Sequence, residues 1–289
     1  MEPIKPSELI FHADGTIYHL GLKPEDVAPT VIVVGDPSRV NIVASFFDKI
    51  ILEKSNREFH SILGEYREKR VLVISSGISS DNIDILINEL DALVNIDLET
   101  RLPKEELTKL KIIRLGTCGA VSNDVELGDF VLSRYAIGGD ATLNYYVDSE
   151  HVRYFQAEDL FIEKMGWDCD LLGRPYAVEA SPSLRDMFSD FTKEGITYCA
   201  GGFYAPQGRA LRLEPLIPQF IEKMEGYSYN DIPMLNIEME GAMLVGLSQL
   251  LGHEAVTISL IIAHRCKKDV NIDYSLKVKE MINSVLDRI

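Results

Sequence analysis

The residues of this chain best suited to chemistry are Gln207 and Arg209, two positions apart and just after Phe203-Tyr204. Glutamine offers a donor and an acceptor in one planar amide, and arginine adds a planar fork of donors with a fixed positive charge. An aromatic ring beside them supplies a stacking face. Together they match the donor and acceptor edge of a flat heterocycle that becomes anionic as it leaves. Gln-x-Arg also arises by chance on exposed loops, so its meaning depends on what else the chain carries.

A second set of residues is suited to holding an anion. Gly35-Asp36-Pro37-Ser38-Arg39 follows a buried strand. Asp36 suits a helix N-cap and Pro37 the first helical position. The free N–H groups of such a junction favour an anion, Gly35 allows close backbone approach, and Arg39 lies one turn into the helix. The plainer reading of this motif alone is a strand–turn–helix with a surface arginine. Arg114 is more telling, because it falls within an apolar strand where an unpaired charge is costly. It calls for an anionic partner, either a ligand or a structural carboxylate. Thr117 is expected in the Gly-bracketed turn Gly116-Thr117-Cys118-Gly119, where its hydroxyl and N–H both donate. Cys118 has no His or acid close in sequence, so it reads as a small packing residue of that turn rather than a nucleophile. Arg57, at the end of a short strand, reads by itself as a solvated charge.

These residues must be positioned by an alternation of strand-like and helix-like runs. Strands are expected at 31–34, 71–74, 112–115, 130–137, 198–204, 234–237 and 255–262, and helices at 240–251 and 276–286. An amphipathic run ending near Leu98 follows 75–80, and Gly252 stops the 240–251 helix. The alternation predicts an α/β fold, a three-layer α/β/α sandwich with a mixed central β-sheet. Of the 289 residues 46% are hydrophobic, enough for one large domain spanning 1–289, with insertions or surface elaborations expected at 95–109 and 148–174. The net charge of −16 argues against non-specific binding to nucleic acid or anionic membrane. The four cysteines have no CxxC or metal-ligand spacing, so no metal is expected and a cytoplasmic location with reduced thiols is. The first residues lack the apolar core of a signal peptide, and the apolar stretches are shorter than a membrane span.

Taken in order, Gly35-Asp36-Pro-x-Arg39, Asn56-Arg57-Glu58-Phe59, Arg114-x-Gly-Thr117-x-Gly119, Phe203-Tyr204-x-x-Gln207-x-Arg209 and Glu238-Met239-Glu240 resemble the nucleoside phosphorylases of the hexameric purine/uridine type. The likeness runs from about Tyr18 to the last helix, and the Phe-Tyr-x-x-Gln-x-Arg element is similar to that of the uridine-cleaving branch. The resemblance implies that Gly35, Arg39, Arg114 and Thr117 hold phosphate and that Arg57 completes the site of a neighbouring subunit. It implies that His19, in Tyr18-His19-Leu20-Gly21-Leu22, reaches a ribose 5′-hydroxyl across a dimer interface. Glu240 is then the ligand of the ribose 2′-hydroxyl, and Met239 packs on the sugar. Phe203 stacks on the base, Gln207 and Arg209 read uracil, and Arg265 supports its O4 side.

The implied reaction is the reversible phosphorolysis of uridine to uracil and α-ribose 1-phosphate in pyrimidine salvage. Arg114, Arg209, Gln207 and Glu240 carry the chemistry, and phosphate is a co-substrate rather than a cofactor. The implied assembly is a homodimer as the minimal unit or a hexamer. Purine enzymes of this fold place a Ser-Asp pair near the last strand, whereas this chain has Ile262-Ala263-His264-Arg265, without an Asp. His264 can act as an acid in principle, but a hydrogen-bonded structural histidine is the plainer reading. The family's Gly-Ile-Gly-Gly turn appears as Gly77-Ile78-Ser79-Ser80, and Asn144 stands where many bacterial relatives have His. Glu58 and Ile78 match the monovalent-cation site of bacterial relatives, but Asn82 replaces its Ser, which argues against a cation. The rival readings are a purine nucleoside phosphorylase or nucleosidase of the same fold and a non-catalytic nucleoside-binding protein.

Overall fold

The computed structural model describes residues 2–271 and 273–289. Runs of β-branched residues form its buried strands, and stripes of Leu, Ile, Val and Met mark the helices that cover them. The chain opens with β1 (Thr30–Val34) and α1 (Pro37–Ala44). The antiparallel strands β2 (Lys49–Asn56), β3 (Phe59–Tyr66) and β4 (Lys69–Ser75) follow. Then come α2 (Ser80–Asn95) and a small ribbon of β5 (Ile96–Asp97) and β6 (Leu102–Pro103). Next are β7 (Lys111–Ala120) and β8 (Phe130–Gly138). The 148–174 stretch contains α3 (Phe155–Met165) and the single-turn α4 (Cys169–Leu172). They lead to β9 (Tyr176–Glu179), α5 (Pro182–Phe188) and β10 (Lys193–Cys199). After a long loop come α6 (Phe220–Glu225), β11 (Ser228–Tyr229), β12 (Ile232–Glu238) and α7 (Gly241–Leu250). β13 (Glu254–His264), β14 (Asp269–Val270) and α8 (Ser275–Leu286) complete the chain.

Twelve strands make one mixed sheet in the order β11-β12-β10-β8-β13-β7-β1-β4-β3-β2, with β9 beside β8 and β14 beside β13. The expected α/β/α layering is present. Val31, Leu72 and Ile112 pack toward α2 and α7, through Leu86, Leu90, Met243 and Leu247. Their neighbours Ile32, Val73 and Ile113 pack toward α1, α5 and α8, through Val40, Leu184 and Met281. This alternation is the two-residue period of strands buried on both faces. The sheet also curls: β12 pairs with β7 as well as β10, so β7, β13, β8, β10 and β12 close into a ring. No local pattern announces that closure.

Two expectations need correction. Gly116-Thr117-Cys118-Gly119 is not a turn; β7 continues through it, with Gly116, Thr117 and Cys118 opposite Ser259, Leu260 and Ile261 of β13. Thr117 and Cys118 are therefore strand residues. The glycines serve side-chain packing instead: a Cβ at Gly116 collides with the Arg114 guanidinium, and one at Gly119 lies 3.3 Å from Arg265 Cγ. The strand expected at 198–204 ends at Cys199, and Phe203 and Tyr204 lie in the following loop, both about half exposed. Two glycines in sequence, Gly201 and Gly202, end the ladder there. No helix among the described residues is long and apolar enough to cross a membrane.

Candidate active site

The parallel strands β1 and β4 end side by side at Val34 and Ser75, opposite Leu115 within β7, the place where an open α/β sheet presents ligand-binding loops. At the end of β1, Asp36 caps α1 by accepting from the Ser38 N–H at 2.8 Å, and Pro37 follows it at the first helical position. Arg39 turns inward and is buried, so it is not a surface arginine. Its Nη1 donates to the Leu115 carbonyl at 3.2 Å. Among the described residues no carboxylate is within ion-pair distance of it. Burial lowers its pKa, and Arg114 nearby lowers it further. Gly35 brings the β1 end against the next loop, since a Cβ there meets the Gly77 carbonyl at 3.5 Å.

Arg114 is held between two acids. Its Nη1 lies 3.0 Å from Glu238 Oε2, and its Nη2 donates to Glu240 Oε2. Its Nε and Nη1 are buried with no hydrogen-bond partner among the described residues, although Nη1 is within ion-pair distance of Glu238. Both readings of the buried charge are thus partly met: structural carboxylates are present, and donor capacity remains open. Glu238 ends β12 and also accepts from the N–H groups of Glu240 and Gly241, which fixes the start of α7. Glu240 is buried, and its Oε1 accepts from the Ser79 N–H at 2.8 Å. Burial raises the Glu240 pKa above the ordinary carboxylate value; Glu238 adds to this and Arg114 opposes it. Met239, between the two acids, is partly exposed. Thr117, three residues beyond Arg114 on β7, is also partly exposed, and its hydroxyl has no hydrogen-bond partner among the described residues.

A second cluster forms around the loop after β10. A 3₁₀ turn at Ala205–Gln207 buries the Gln207 side chain, and Gly208 takes φ 67° directly after it. A Cβ at Gly208 would sit 2.5 Å from Phe220 Cβ, so glycine is needed there for space and conformation. Arg209 Nη1 donates to Gln207 Oε1 and, at 2.7 Å, to the Phe203 carbonyl. Its guanidinium lies 3.8 Å from the Phe203 ring centroid. Arg265 donates from Nη2 to the Gln207 carbonyl at 3.1 Å, while its Nη1 is buried without a partner. Neither arginine pairs with a carboxylate among the described residues. Burial, and then Arg265, lower the Arg209 pKa to about 10. The structure therefore brings Phe203, Gln207, Arg209 and Arg265 together into a cationic cluster, of which Arg209 and Arg265 line a cavity of about 810 Å³. A cavity of about 480 Å³ adjoins this loop at Ala205 and Pro206 and reaches Ser79 and Ser80.

His19 and Arg57 form a third group. Arg57 sits in the β2–β3 turn with φ 55°, exposed, its guanidinium 5.3 Å from the Tyr18 ring centroid. Asn56 donates to the Tyr18 and His19 carbonyls. His19 Nδ1 lies 2.6 Å from Glu89 Oε1, and the Glu89 carboxylate also accepts from the N–H groups of His19 and Leu20. That contact puts the proton on Nδ1 and leaves Nε2 free. Neither His19 nor Arg57 contacts Arg39 or Arg114 by a hydrogen bond among the described residues.

Other candidates fall to structural roles. His264 is buried, with Nδ1 accepting from the Lys267 N–H and Nε2 donating to the Val125 carbonyl, which is the structural reading. Burial pushes the Cys118 thiol up to about 12, so it is no nucleophile. Asn82, at the position that departs from the cation site, packs 2.7 Å from where a Gly77 Cβ would lie and donates to the Ile78 carbonyl. Asn144 bridges the Arg174 carbonyl and Arg153. Sequence reasoning missed Glu89, whose only signal is an acid within the apolar face of α2. It also missed the Ser79 amide, which no side-chain type reveals.

The profile of the phosphorylase superfamily matches residues 29–288. A uridine phosphorylase of Thermococcus kodakarensis is 29% identical over 252 residues, 87% of this chain and 79% of that protein. A DeoD-type purine nucleoside phosphorylase of Colwellia psychrerythraea is 26% identical over 275 residues, 94% of this chain and 98% of that protein. Among solved structures, a Trypanosoma brucei nucleoside phosphorylase described as showing uridine phosphorylase activity is 27% identical, with a TM-score of 0.87 over 97% of this chain and 98% of that one. The buried arginines of α1 and β7, the acids Glu238 and Glu240 at the β12–α7 junction and the profile that spans nearly all of these elements lead to one assignment: the chain belongs to the phosphorylase superfamily.

Proposed function

We propose that this protein is a uridine phosphorylase, cleaving uridine with phosphate to uracil and α-ribose 1-phosphate. The observation that carries the reading is the pocket wall of Gln207, Arg209 and Arg265. Among the described residues its two guanidiniums pair with no carboxylate and one has a buried unpartnered Nη1, beside an amide able to donate and accept. Such a wall suits a base that leaves as an anion with adjacent oxygens. His264 is tied into backbone hydrogen bonds, so it is not poised to protonate a purine N7. The uridine phosphorylases among the relatives agree with this choice.

In this reading phosphate lies among Gly35, Arg39, Arg114 and Thr117, with Arg57 supplied by a neighbouring subunit. A phosphate oxygen attacks ribose C1′ while the C1′–N1 bond breaks and its electron pair moves onto uracil. The cationic groups hold the nucleophile next to the developing positive charge at C1′. Arg209 and Gln207 stabilise the departing base, as an oxyanion hole does. Arg209 now shares a hydrogen bond with Gln207 and covers one side of Phe203, so uracil takes over the first contact and uses the exposed ring surface. Glu240 accepts from the 2′-hydroxyl, Met239 packs on the sugar and His19 acts on the 5′ side across a dimer interface. No cofactor enters.

Base selectivity tests this reading. Uridine is expected to be cleaved faster than inosine or methylthioadenosine, and Arg209→Ala is expected to lower uridine turnover about 10²–10³-fold. Preference for a purine riboside, or near wild-type uridine turnover in both Arg209→Ala and Gln207→Ala, overturns it.

A further inference from the structure

Ser79, the residue before α2, has φ 100° and ψ 155°. Glycine enters that region freely, whereas a residue with a Cβ is held there only by its surroundings. Serine commonly precedes a helix because its hydroxyl caps the first turn, but the Ser79 hydroxyl makes no capping bond. What this conformation delivers is the backbone N–H, which donates to Glu240 Oε1 at 2.8 Å. The other oxygen of the same carboxylate faces Arg114. Glu240 is thus gripped by two elements, the start of α2 and β7.

The turn has little room to relax. A Cβ at Gly77, two residues earlier, would meet Asn82 Nδ2 at 2.7 Å and Glu58 Cγ at 3.3 Å. Ser80, directly after, is buried and lies 3.3 Å from the Thr142 hydroxyl through its own. A carboxylate tied only to Arg114 can rotate about its last torsion, since such terminal torsions are broad. With Oε1 tied to an amide and Oε2 to a guanidinium, that rotation is fixed. A carboxylate has about four acceptor positions, so two remain for a ligand.

We propose that Ser79 is a positioning residue: its strained backbone amide sets the orientation of Glu240 and thereby the discrimination of a sugar 2′-hydroxyl from a 2′-hydrogen. This rests on reading Glu240 as the sugar contact.

The test compares kcat/KM for a ribonucleoside and its 2′-deoxy counterpart in Ser79→Gly, Ser79→Ala and Ser79→Val. Gly and Ala keep the N–H in place and are expected to retain the wild-type ratio. Valine is β-branched and disfavours positive φ, so the turn shifts and the N–H is withdrawn. Its ratio is expected to fall about tenfold or more, chiefly through slower cleavage of the ribonucleoside. An unchanged ratio in Ser79→Val, or a lost ratio in Ser79→Gly, overturns the proposal. The ratio is read on whichever base the wild type cleaves, so a failure on uridine counts against the base assignment and not against Ser79. Hydrogen exchange adds an arm that needs neither activity nor the valine variant. The Ser79 amide is expected to exchange slowly in the wild type and markedly faster in Glu240→Ala; equal rates overturn the proposal.

Discussion

Arg114, Glu238 and Glu240 have side chains at most 6% exposed, and together they place one positive charge between two negative ones. Removing the cation leaves two buried carboxylates unpaired, which costs about 3–5 kcal/mol. The pH dependence follows from Glu240. Its pKa in the folded protein is raised, first by burial, so the folded state binds its proton more readily than the unfolded state does. Stability from this group is gained as pH falls through the raised value and lost as pH rises through it. Arg114→Ala is therefore expected to lower Tm most at neutral pH and less as the solution is acidified and a carboxylate takes up a proton. Thermal melts of both proteins across that range check this, and a deficit that does not change with pH contradicts it. Part of this triad was legible in the sequence: an arginine in an apolar strand demands an anion. Its partners were not, because Glu238 and Glu240 lie more than 120 positions away and meet Arg114 only through the β12–β7 closure.

Elements set these contacts through close approach more than through turn chemistry. β7 carries Gly116 so that the Arg114 side chain can fold over it, and Gly119 so that Arg265 can. Gly116→Ala keeps a strand-compatible residue but displaces the guanidinium. It is expected to raise the KM for phosphate on the order of 10²-fold, the typical effect of a misplacement near 1 Å. Steady-state kinetics with phosphate varied, together with a melt to confirm folding, measure this; an unchanged phosphate KM contradicts it. The buried strands β1 and β4 were readable because Val and Ile runs bounded by turn residues have few other solutions. The Gly116–Gly119 run was misread because two glycines signal a turn locally, while their reason lies in side chains packed from the same and a distant strand. Likewise the strand expected at 198–204 overlaps β10 (Lys193–Cys199) only at its last two residues, and the two glycines at 201 and 202 follow where its pairing ends.

At the scale of the whole molecule, Tyr18, His19, Asn56 and Arg57 form a unit tied to Glu89 and separate from the Arg39–Arg114 end of the same chain. An exposed arginine in a constrained turn, in no ion pair among the described residues, fits the role of serving another copy's site. Mixed oligomers of inactive Arg57→Ala and inactive Arg209→Ala subunits are then expected to regain activity that neither has alone. Failure of co-expressed mixtures to regain any contradicts an inter-subunit role for Arg57. The net charge of −16 makes such local arginine clusters the places where an anion can settle. Phosphorolysis is the claim on which all these roles converge, and the release of uracil from uridine with and without phosphate tests it most directly. Rapid release with phosphate, yielding ribose 1-phosphate, and little without it is the predicted result. Equal release in both conditions, or none in either, contradicts it.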